Sequence, residues 1–337
     1  MILESLAKAQ KGLHLTEDEA FATFSEVMNG EAVGEAALAA LLTAMQMNGP
    51  DIAEVTGAVR AMRATCLRVH APDDAVDIVG TGGDGFGTFN VSTTAAIIAA
   101  GAGVTIAKHG NRASTSKSGS ADCLAALGYD LATPLEEVER SIAGNGIGFL
   151  FANLCHPAMK YAAPVRRALP FRTVFNLVGP LSNPAGVKRY ALGVYAPDIM
   201  PLYIGVLKAL GAKRALVFCG PDGLDEIGLS GVTQVAELLE DGSVRNHAFD
   251  PAHVFGGYRP LSAMQGGSPE ENARITLRVL AGEERGACRD AAALNAAAAI
   301  VAGGRAATLE DGLSGAYAAI DSGSALAKLR LLTGRKT

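Results

Sequence analysis

Between Gly80 and Ser120 the sequence gathers glycines, hydroxyls and cations, with Asp84 as the single carboxylate. Gly80-Thr-Gly-Gly-Asp-Gly-Phe-Gly87 holds five glycines in eight residues, which permits left-handed dihedrals and brings main-chain amides close to a ligand. Asn90-Val91-Ser92-Thr93 follows as a helix start, where free amides suit phosphate. Lys108-His109-Gly110-Asn111-Arg112 then leads into Ala113-Ser114-Thr115-Ser116-Lys117-Ser118-Gly119-Ser120. No Asp or Glu lies between Gly85 and Ala121, whereas Lys108, Arg112, Lys117 and ten Ser or Thr residues do. Cations, hydroxyls and amides without a competing carboxylate are the chemistry of a polyphosphate site. Asp225 and Glu226 form an adjacent acid pair after the apolar run Ala215–Cys219 and a Gly-Pro turn. Such a pair by itself is usually a solvated loop, but it is also the ligand type that Mg2+ takes together with phosphate oxygens.

These residues need elements to aim them. Ala75–Val79 is an apolar run that breaks into the glycine turn, and Val104–Ala107 is a second one that breaks at Lys108, so both basic and glycine-rich stretches are expected just beyond strand ends. The turn matches G-x-G-x-x-G at Gly80, Gly82 and Gly85. A dinucleotide fold would open its helix at the third glycine and carry an acid about 20 residues on; here the helix start comes later and the second strand runs into Lys108. From residue 75 strands alternate with helices: strands at 75–79, 103–107, 147–151, 190–196 and 214–219, helices near 93–101, 119–127, 134–143, 156–169 and 199–210. A hairpin is expected at Asp241-Gly242, with helices at 268–280 and 291–302. The fold class is therefore α/β, with a mainly parallel sheet, right-handed crossovers, helices on both faces and ligands at the carboxyl ends of the strands.

Residues 1 to about 70 show no strand pattern. Thr16–Glu19 and Asp51–Glu54 read as helix starts, Asn29-Gly30 and Asn48-Gly-Pro50 as stops. The expected organisation is a small all-helical domain over 1–70 and an α/β domain over 71–337. Ala36, Leu38, Leu41, Leu42, Met45 and Met47 crowd one helix, and pattern alone favours packing against its neighbours over a subunit interface.

Composition bounds the function. The 337 residues are 49% apolar, ample for a core, and the net charge is −5; without a basic run there is no electrostatic footprint for nucleic acid. Cys66, Cys123, Cys155, Cys219 and Cys288 are scattered and odd in number, which argues against a disulfide framework or zinc site and fits a reducing cytoplasm. The N-terminal Met-Ile-Leu-Glu start is no secretory signal. The uncharged run 85–107 is interrupted by Asn90, hydroxyls and glycines, so a soluble protein is expected.

Gly80-Thr-Gly-Gly-Asp84, Asn90-Val-Ser-Thr93, Lys108-His-Gly-Asn-Arg112 and Gly119-Ser-Ala-Asp122, continued by His156–Met159, Arg172-Thr-Val-Phe-Asn176, Gly179–Pro184 and Gly223-Leu-Asp-Glu226, resemble the signature of the anthranilate phosphoribosyltransferase family. The blocks run in order over most of the chain. Pyrimidine nucleoside phosphorylases share the Lys-His-Gly-Asn and Gly-Ser-Ala-Asp pieces; the Arg172–Pro184 block and Asp225-Glu226 are the specific part. Two positions depart from the family pattern: Pro170 stands where Gly is usual, and Thr115 where Ser is usual. Pro170 is expected to end the helix that carries Arg166.

The resemblance implies transfer of phosphoribosyl from 5-phosphoribosyl 1-pyrophosphate to the amine of anthranilate. It implies donor contacts at Gly80, Gly83, Asp84, Thr88, Asn90, Val91, Ser92, Thr93, Lys108, His109, Gly110, Asn111, Arg112, Ala113, Ser114, Thr115, Ser116 and Ser120. It places anthranilate at Gly80, Asn111 and Arg166, and Mg2+ at Ser92, Asp225 and Glu226. Lys108 would supply positive charge and His109 would orient the acceptor, with no convincing general base. It further implies that part of 156–184 crosses back to the helical domain, that the second substrate lies between domains, and that the chain is a homodimer through that domain. The alternatives are a pyrimidine nucleoside phosphorylase, which needs neither Arg166 nor the acid pair, and a non-catalytic nucleic-acid-binding relative, against which the acidic balance argues.

Overall fold

The computed structural model describes residues 1–31, 34–113 and 116–334. Helices α1 (Ile2–Ala9), α2 (Glu17–Met28), α3 (Glu35–Asn48) and α4 (Ile52–Thr65) form the N-terminal bundle. Both expected capping boxes are present, Thr16 with Glu19 and Asp51 with Glu54, each satisfying amides that a helix start leaves open. Glu54 also accepts from the Leu15 amide and from His14 Nδ1, each at 3.0 Å, so the His14-Asp51-Glu54 cluster is accounted for as a helix cap. Helix α2 lies close along α4 because Gly57 leaves room for the Glu17 carbonyl and the Phe21 amide. Helix α4 ends at Thr65.

The α/β portion follows as β1 (Val76–Gly80), α5 (Val91–Gly101), β2 (Ile106–Gly110), α6 (Ser120–Ala126), α7 (Leu135–Asn145), β3 (Ile147–Phe151), α8 (Ala152–Cys155), α9 (Ala163–Ala168) and α10 (Val174–Val178). It continues with β4 (Arg189–Gly193), α11 (Met200–Ala209), β5 (Arg214–Cys219), β6 (Thr233–Leu238), β7 (Val244–Phe249), α12 (Ala252–Phe255), α13 (Pro269–Leu280), α14 (Ala287–Ala302), α15 (Leu309–Asp321) and α16 (Ser324–Thr333). The sheet has seven strands in the order β3-β2-β1-β4-β5-β6-β7. Strands β1 to β5 run parallel, while β6 and β7 are the antiparallel hairpin turned at Asp241-Gly242. The chain leaves β1 towards β2 and β3, then returns to place β4 on the other side of β1. That reversal opens a crevice at the carboxyl ends of β1 and β4, the place where open α/β sheets bind ligands.

The sheet buries both faces. Val76, Ile78 and Ile106 pack on one side with α5, α14, α15 and α16. Beyond its hydroxyl-bearing first turn, helix α5 is apolar on every side, and there Ala95 to Ala100 are all buried, as such a helix must be. Ala75, Ala107, Leu192 and Val194 face the other way, in one continuous core with Phe24, Leu41, Leu42 and Val59 of the bundle. Truncating Leu41 to Ala in that core is expected to cost about 3 kcal/mol.

Two expectations shift. Strand β2 runs to Gly110, because its ladder with β3 pairs Lys108 with Phe149 and His109 with Leu150; Lys108 and His109 are strand residues and point to opposite faces. The expected helix 156–169 is broken into a 3-10 turn at Pro157–Tyr161 and the short α9. Leu169 is extended ahead of Pro170, the termination that a following proline imposes. Helix α9 packs on α3 and α10 on α4, while the 157–161 turn packs on α2.

Candidate active site

The crevice is built on Gly80. A Cβ there, or at Gly193 on the neighbouring strand, would overlap Asp225; the two glycines let the Asp225-Glu226 segment lie across the strand ends. Asp225 Oδ2 accepts from the Gly82 amide at 2.5 Å, and Glu226 Oε1 accepts from the Ser92 amide, the second residue of α5, at 3.1 Å. The acid pair thus joins the glycine loop to the helix start. Both side chains are buried, with 9% and 8% of their surface exposed. Burial and then the nearby Asp84 push the Asp225 carboxyl up to about 7, while burial and then Asp225 push Glu226 well up.

Lys108 is the cation beneath them. Its ammonium donates to the Ile78 carbonyl at 2.6 Å, and burial lowers its pKa against the pull of Asp77, Glu226 and Asp225. Asp77 is fully buried on the opposite face of β1, accepting from the His109 amide at 3.0 Å and from Asn183 Nδ2 at 2.8 Å. Burial, with Lys108 opposing it, leaves Asp77 at about 6. Neither Asp77 nor Asn183 was singled out from sequence, although a lone acid inside an apolar strand run was the available signal.

The glycine loop carries positive φ at Gly82, Gly83, Gly85 and Gly87. Arg172 Nη2 donates to the Gly83 carbonyl at 2.5 Å. Gln265 Nε2 and the Gly266 amide donate to the Gly87 carbonyl at 2.8 and 2.9 Å, and Thr88 bridges Gln265. Asp84 is half-buried and accepts from the Phe86 amide at 3.2 Å. Arg172 and Gln265 are loop partners that sequence reasoning left without a role.

The other sequence-derived residues fall into place unevenly. Asn90 spends its side chain on the Ser118 carbonyl at 3.2 Å, while its Oδ1 accepts from Ser118 Oγ at 3.0 Å and Asn272 Nδ2 at 2.9 Å. Val91 and Thr93 have buried side chains, and Thr93 Oγ1 finds no partner among the described residues. Asp122 holds the second loop in shape. It accepts from the Ala113 and Gly119 amides at 2.9 and 3.0 Å and pairs with Arg112 at 2.7 Å. Burial opposes these contacts, yet together they hold its carboxyl below the usual range. Asn111, Arg112 and Ser116 are exposed; Gly110, Ala113 and Ser120 are half-buried. Ser114 and Thr115 lie outside the described residues.

His109, His156 and Arg166 lie towards the bundle. His109 and His156 stack edge to face at 5.1 Å between ring centroids. Both are buried, and neither Nε2 has a partner among the described residues. Burial lowers His109 well below the usual range and His156 to about 4. Arg166 is exposed and lies 5.5 Å above the Phe175 ring. Among the described residues no hydrogen bond or ion pair joins Arg166 to the glycine loop.

A basic and glycine-lined crevice at the switch point of a parallel sheet, backed by a helical bundle and closed by an acid pair, defines the class. Residues 72–326 match the glycosyl transferase family a/b domain, and residues 3–66 match the helical bundle domain of the same family. Within it, anthranilate phosphoribosyltransferase of Rubrobacter xylanophilus is 49% identical over 98% of this chain and 96% of its own length. That of Azorhizobium caulinodans is 50% identical over 96% and 93%. Among solved structures, anthranilate phosphoribosyltransferase from Thermus thermophilus superposes with a TM-score of 0.92 at 43% identity, covering 98% of both chains. The Saccharomyces cerevisiae enzyme in complex with PRPP and Mg gives 0.90 at 29% identity, over 99% of this chain and 97% of that one. The chain belongs to the anthranilate phosphoribosyltransferase family. None of these relatives is a nucleoside phosphorylase or a nucleic-acid-binding protein.

Proposed function

We propose that this enzyme transfers the phosphoribosyl group of 5-phosphoribosyl 1-pyrophosphate to the amine of anthranilate, a step of tryptophan biosynthesis. The observation that carries the proposal is the Asp225-Glu226 pair bridging the glycine loop at Gly82 and the helix start at Ser92. Nucleotide-fold loops that bind phosphate through amides alone have no use for two buried acids at that point. Here they flank a basic, hydroxyl-rich loop, and that combination suits a phosphate-bearing substrate accompanied by a divalent cation.

The residues fit Mg2+. Asp84 adds to the cost of ionising Asp225 and Glu226, and Asp225 adds to that of Glu226; a cation between them and substrate phosphate removes that cost. Asp225, Glu226 and Ser92 are the residues that would hold it. When bound, Mg2+ supplies neutralisation of the pyrophosphate charge.

The loop amides from Gly80 to Gly83, with Asp84, Thr88 and the α5 start at Asn90–Thr93, bind donor phosphates and ribose. Lys108 contributes positive charge from below. Gly110 to Ala113, Ser116 and Ser120 line the donor on the β2 side; there Asn90 acts by holding the loop at Ser118, and Val91 by its backbone. Anthranilate lies on the bundle side, with its carboxylate near Arg166 and Asn111 and its ring near Gly80, and His109 orients it. Departure of pyrophosphate leaves an oxocarbenium-like C1, so the protein works by aligning the amine and neutralising the leaving group. A histidine as hard to protonate as His109 is a poor base at neutral pH, and His109→Asn is expected to retain turnover.

The chain divides near residue 70 into a helical domain, completed by part of 156–184, and a donor-binding domain. Met47, Leu3 and Leu13 are 83%, 67% and 52% exposed on the bundle, which supports a homodimer through that domain. Among the described residues no helix is long and apolar enough to cross a membrane, and a cytoplasmic location fits the chemistry. The test is loss of anthranilate fluorescence on mixing with 5-phosphoribosyl 1-pyrophosphate and Mg2+. No loss at micromolar enzyme would overturn the assignment.

A further inference from the structure

The glycine loop is held at its far end, at the Gly82 amide by Asp225 and at the Gly83 carbonyl, and the last of these holds comes from the acceptor side of the molecule. At its far end the Gly87 carbonyl accepts from Gln265 and Gly266, and the Phe89 amide donates to the Met264 carbonyl at 3.0 Å, so that end is fixed by the donor-binding part of the chain itself. At its near end Gly82 and Gly83 have φ of 69° and 71°, a pair of peptides with no side chains to hold them. The hold on Gly83 is Arg172. Its guanidinium lies 3.5 Å from the centroid of the Tyr195 ring and gives Nη2 to the Gly83 carbonyl. A Cβ on Gly83 would stand 3.3 Å from that nitrogen.

Arg172 makes no ion pair among the described residues, although Asp84 and Asp225 flank the same loop. A planar cation is thus stacked on an aromatic face and committed to one carbonyl, a geometry that the planar guanidinium provides and an ammonium does not. Its backbone leads into the Thr173–Asn176 capping box of α10, and α10 packs against α3 and α4 of the bundle. Tyr195 follows β4 on the other wall of the crevice. One side chain therefore joins the donor loop, the acceptor-side connection and the β4 end.

We propose that Arg172, seated on Tyr195, is a positioning residue that sets the Gly82–Asp84 portion of the loop for the phosphoribosyl donor. This rests on the reading that the loop binds that donor. Because the contact is partly exposed, its loss frees the loop without opening the core.

The test is steady-state kinetics of wild type, Arg172→Ala, Arg172→Lys and Tyr195→Leu, varying 5-phosphoribosyl 1-pyrophosphate with Mg2+ and, separately, anthranilate. In Arg172→Ala the donor KM is expected to rise about 10-fold or more while the anthranilate KM stays within about 2-fold and Tm within about 3 °C. Arg172→Lys is expected to recover part of the loss, and Tyr195→Leu, whose side chain makes no hydrogen bond to the loop among the described residues, to raise the donor KM in the same direction. A donor KM within about 2-fold of wild type in both Arg172 variants would overturn the inference. So would a parallel rise in both KM values with a large fall in Tm, the mark of a structural role. A wild type that makes no product overturns the donor reading together with the inference; active wild type with unaffected variants overturns the inference alone.

Discussion

The Asp225 carboxylate occupies the space that a side chain on Gly80 would need. The residue that ends β1 and one 145 positions later are therefore a matched pair: the glycine is required less for its own dihedrals than to admit the acid. Gly80→Ala must push Asp225 aside and break its hydrogen bond from the Gly82 amide. The expected outcome is a folded protein whose kcat/KM for the donor falls about 100-fold. Gly144, in α7 with open space around it and no positive φ, is the control. Gly144→Ala is expected to gain about 0.5 kcal/mol in denaturant unfolding with unchanged kinetics.

Asp225 and Glu226 place two acids where burial disfavours both charges, with Asp84 adding to the cost for Asp225 and Asp225 adding to that for Glu226. For Asp225, the folded pKa of about 7 stands above the ordinary value of 3.8 that the unfolded chain keeps, so the native state binds more protons in that window and stability falls as pH rises through it. Asp225→Asn/Glu226→Gln removes both charges. At pH 8 without Mg2+ the double variant is expected to melt a few degrees above wild type, by about 1–3 kcal/mol. In calorimetric titration with 5-phosphoribosyl 1-pyrophosphate and Mg2+ it is expected to lose donor affinity about 100-fold. Donor affinity equal to wild type would remove the acid pair from the site.

Arg166 lies over the Phe175 ring and, among the described residues, makes no hydrogen bond or ion pair to the glycine loop. If it receives the anthranilate carboxylate, Arg166→Ala raises the anthranilate KM about 10- to 100-fold and leaves the donor KM within about 2-fold. Arg166→Lys recovers only part, since an ammonium lacks the two-pronged fit. An equal effect on both substrates would place Arg166 elsewhere in the reaction.

How far these positions were legible in the chain follows from the range of the interactions behind them. The glycine loop, the α5 start and both capping boxes are local patterns, and they read correctly from neighbouring residues alone. The β2 boundary did not, because Lys108 and His109 become strand only through pairing with Phe149 and Leu150, some 40 residues on. That pairing also turns the two side chains to opposite faces, which separates two residues that read as neighbours in one loop. The burial of Asp225 and Glu226, the Arg172–Tyr195 stack and the Asp77–Asn183 bond all join segments far apart in sequence. Type and spacing named several of these residues, but only the fold could say what they touch. The expected helix 156–169 divides for a local reason: Pro164 sits in the first turn of α9, a position that starts a helix and cannot lie in the interior of a longer one without breaking it.

His109 and His156 carry the last prediction. Both rings are buried, neutral and stacked on each other, so protonating either in place would put a charge in the core without a counter-ion. His156 titrates at about 4 in the folded chain against 6.5 for an exposed imidazole, and His109 is lowered too. A folded pKa below the unfolded one means that the unfolded chain binds the extra proton. Stability from this pair is therefore complete above pH 6.5 and is lost as pH falls from 6.5 towards 4. For His156 alone the loss is on the order of 3 kcal/mol across that window. His156→Gln cannot take up the proton in either state. Its Tm plotted against pH is expected to be flatter than that of wild type between pH 6.5 and 4. Parallel curves over that range would show that His156 is already protonated, or solvated, in the folded protein.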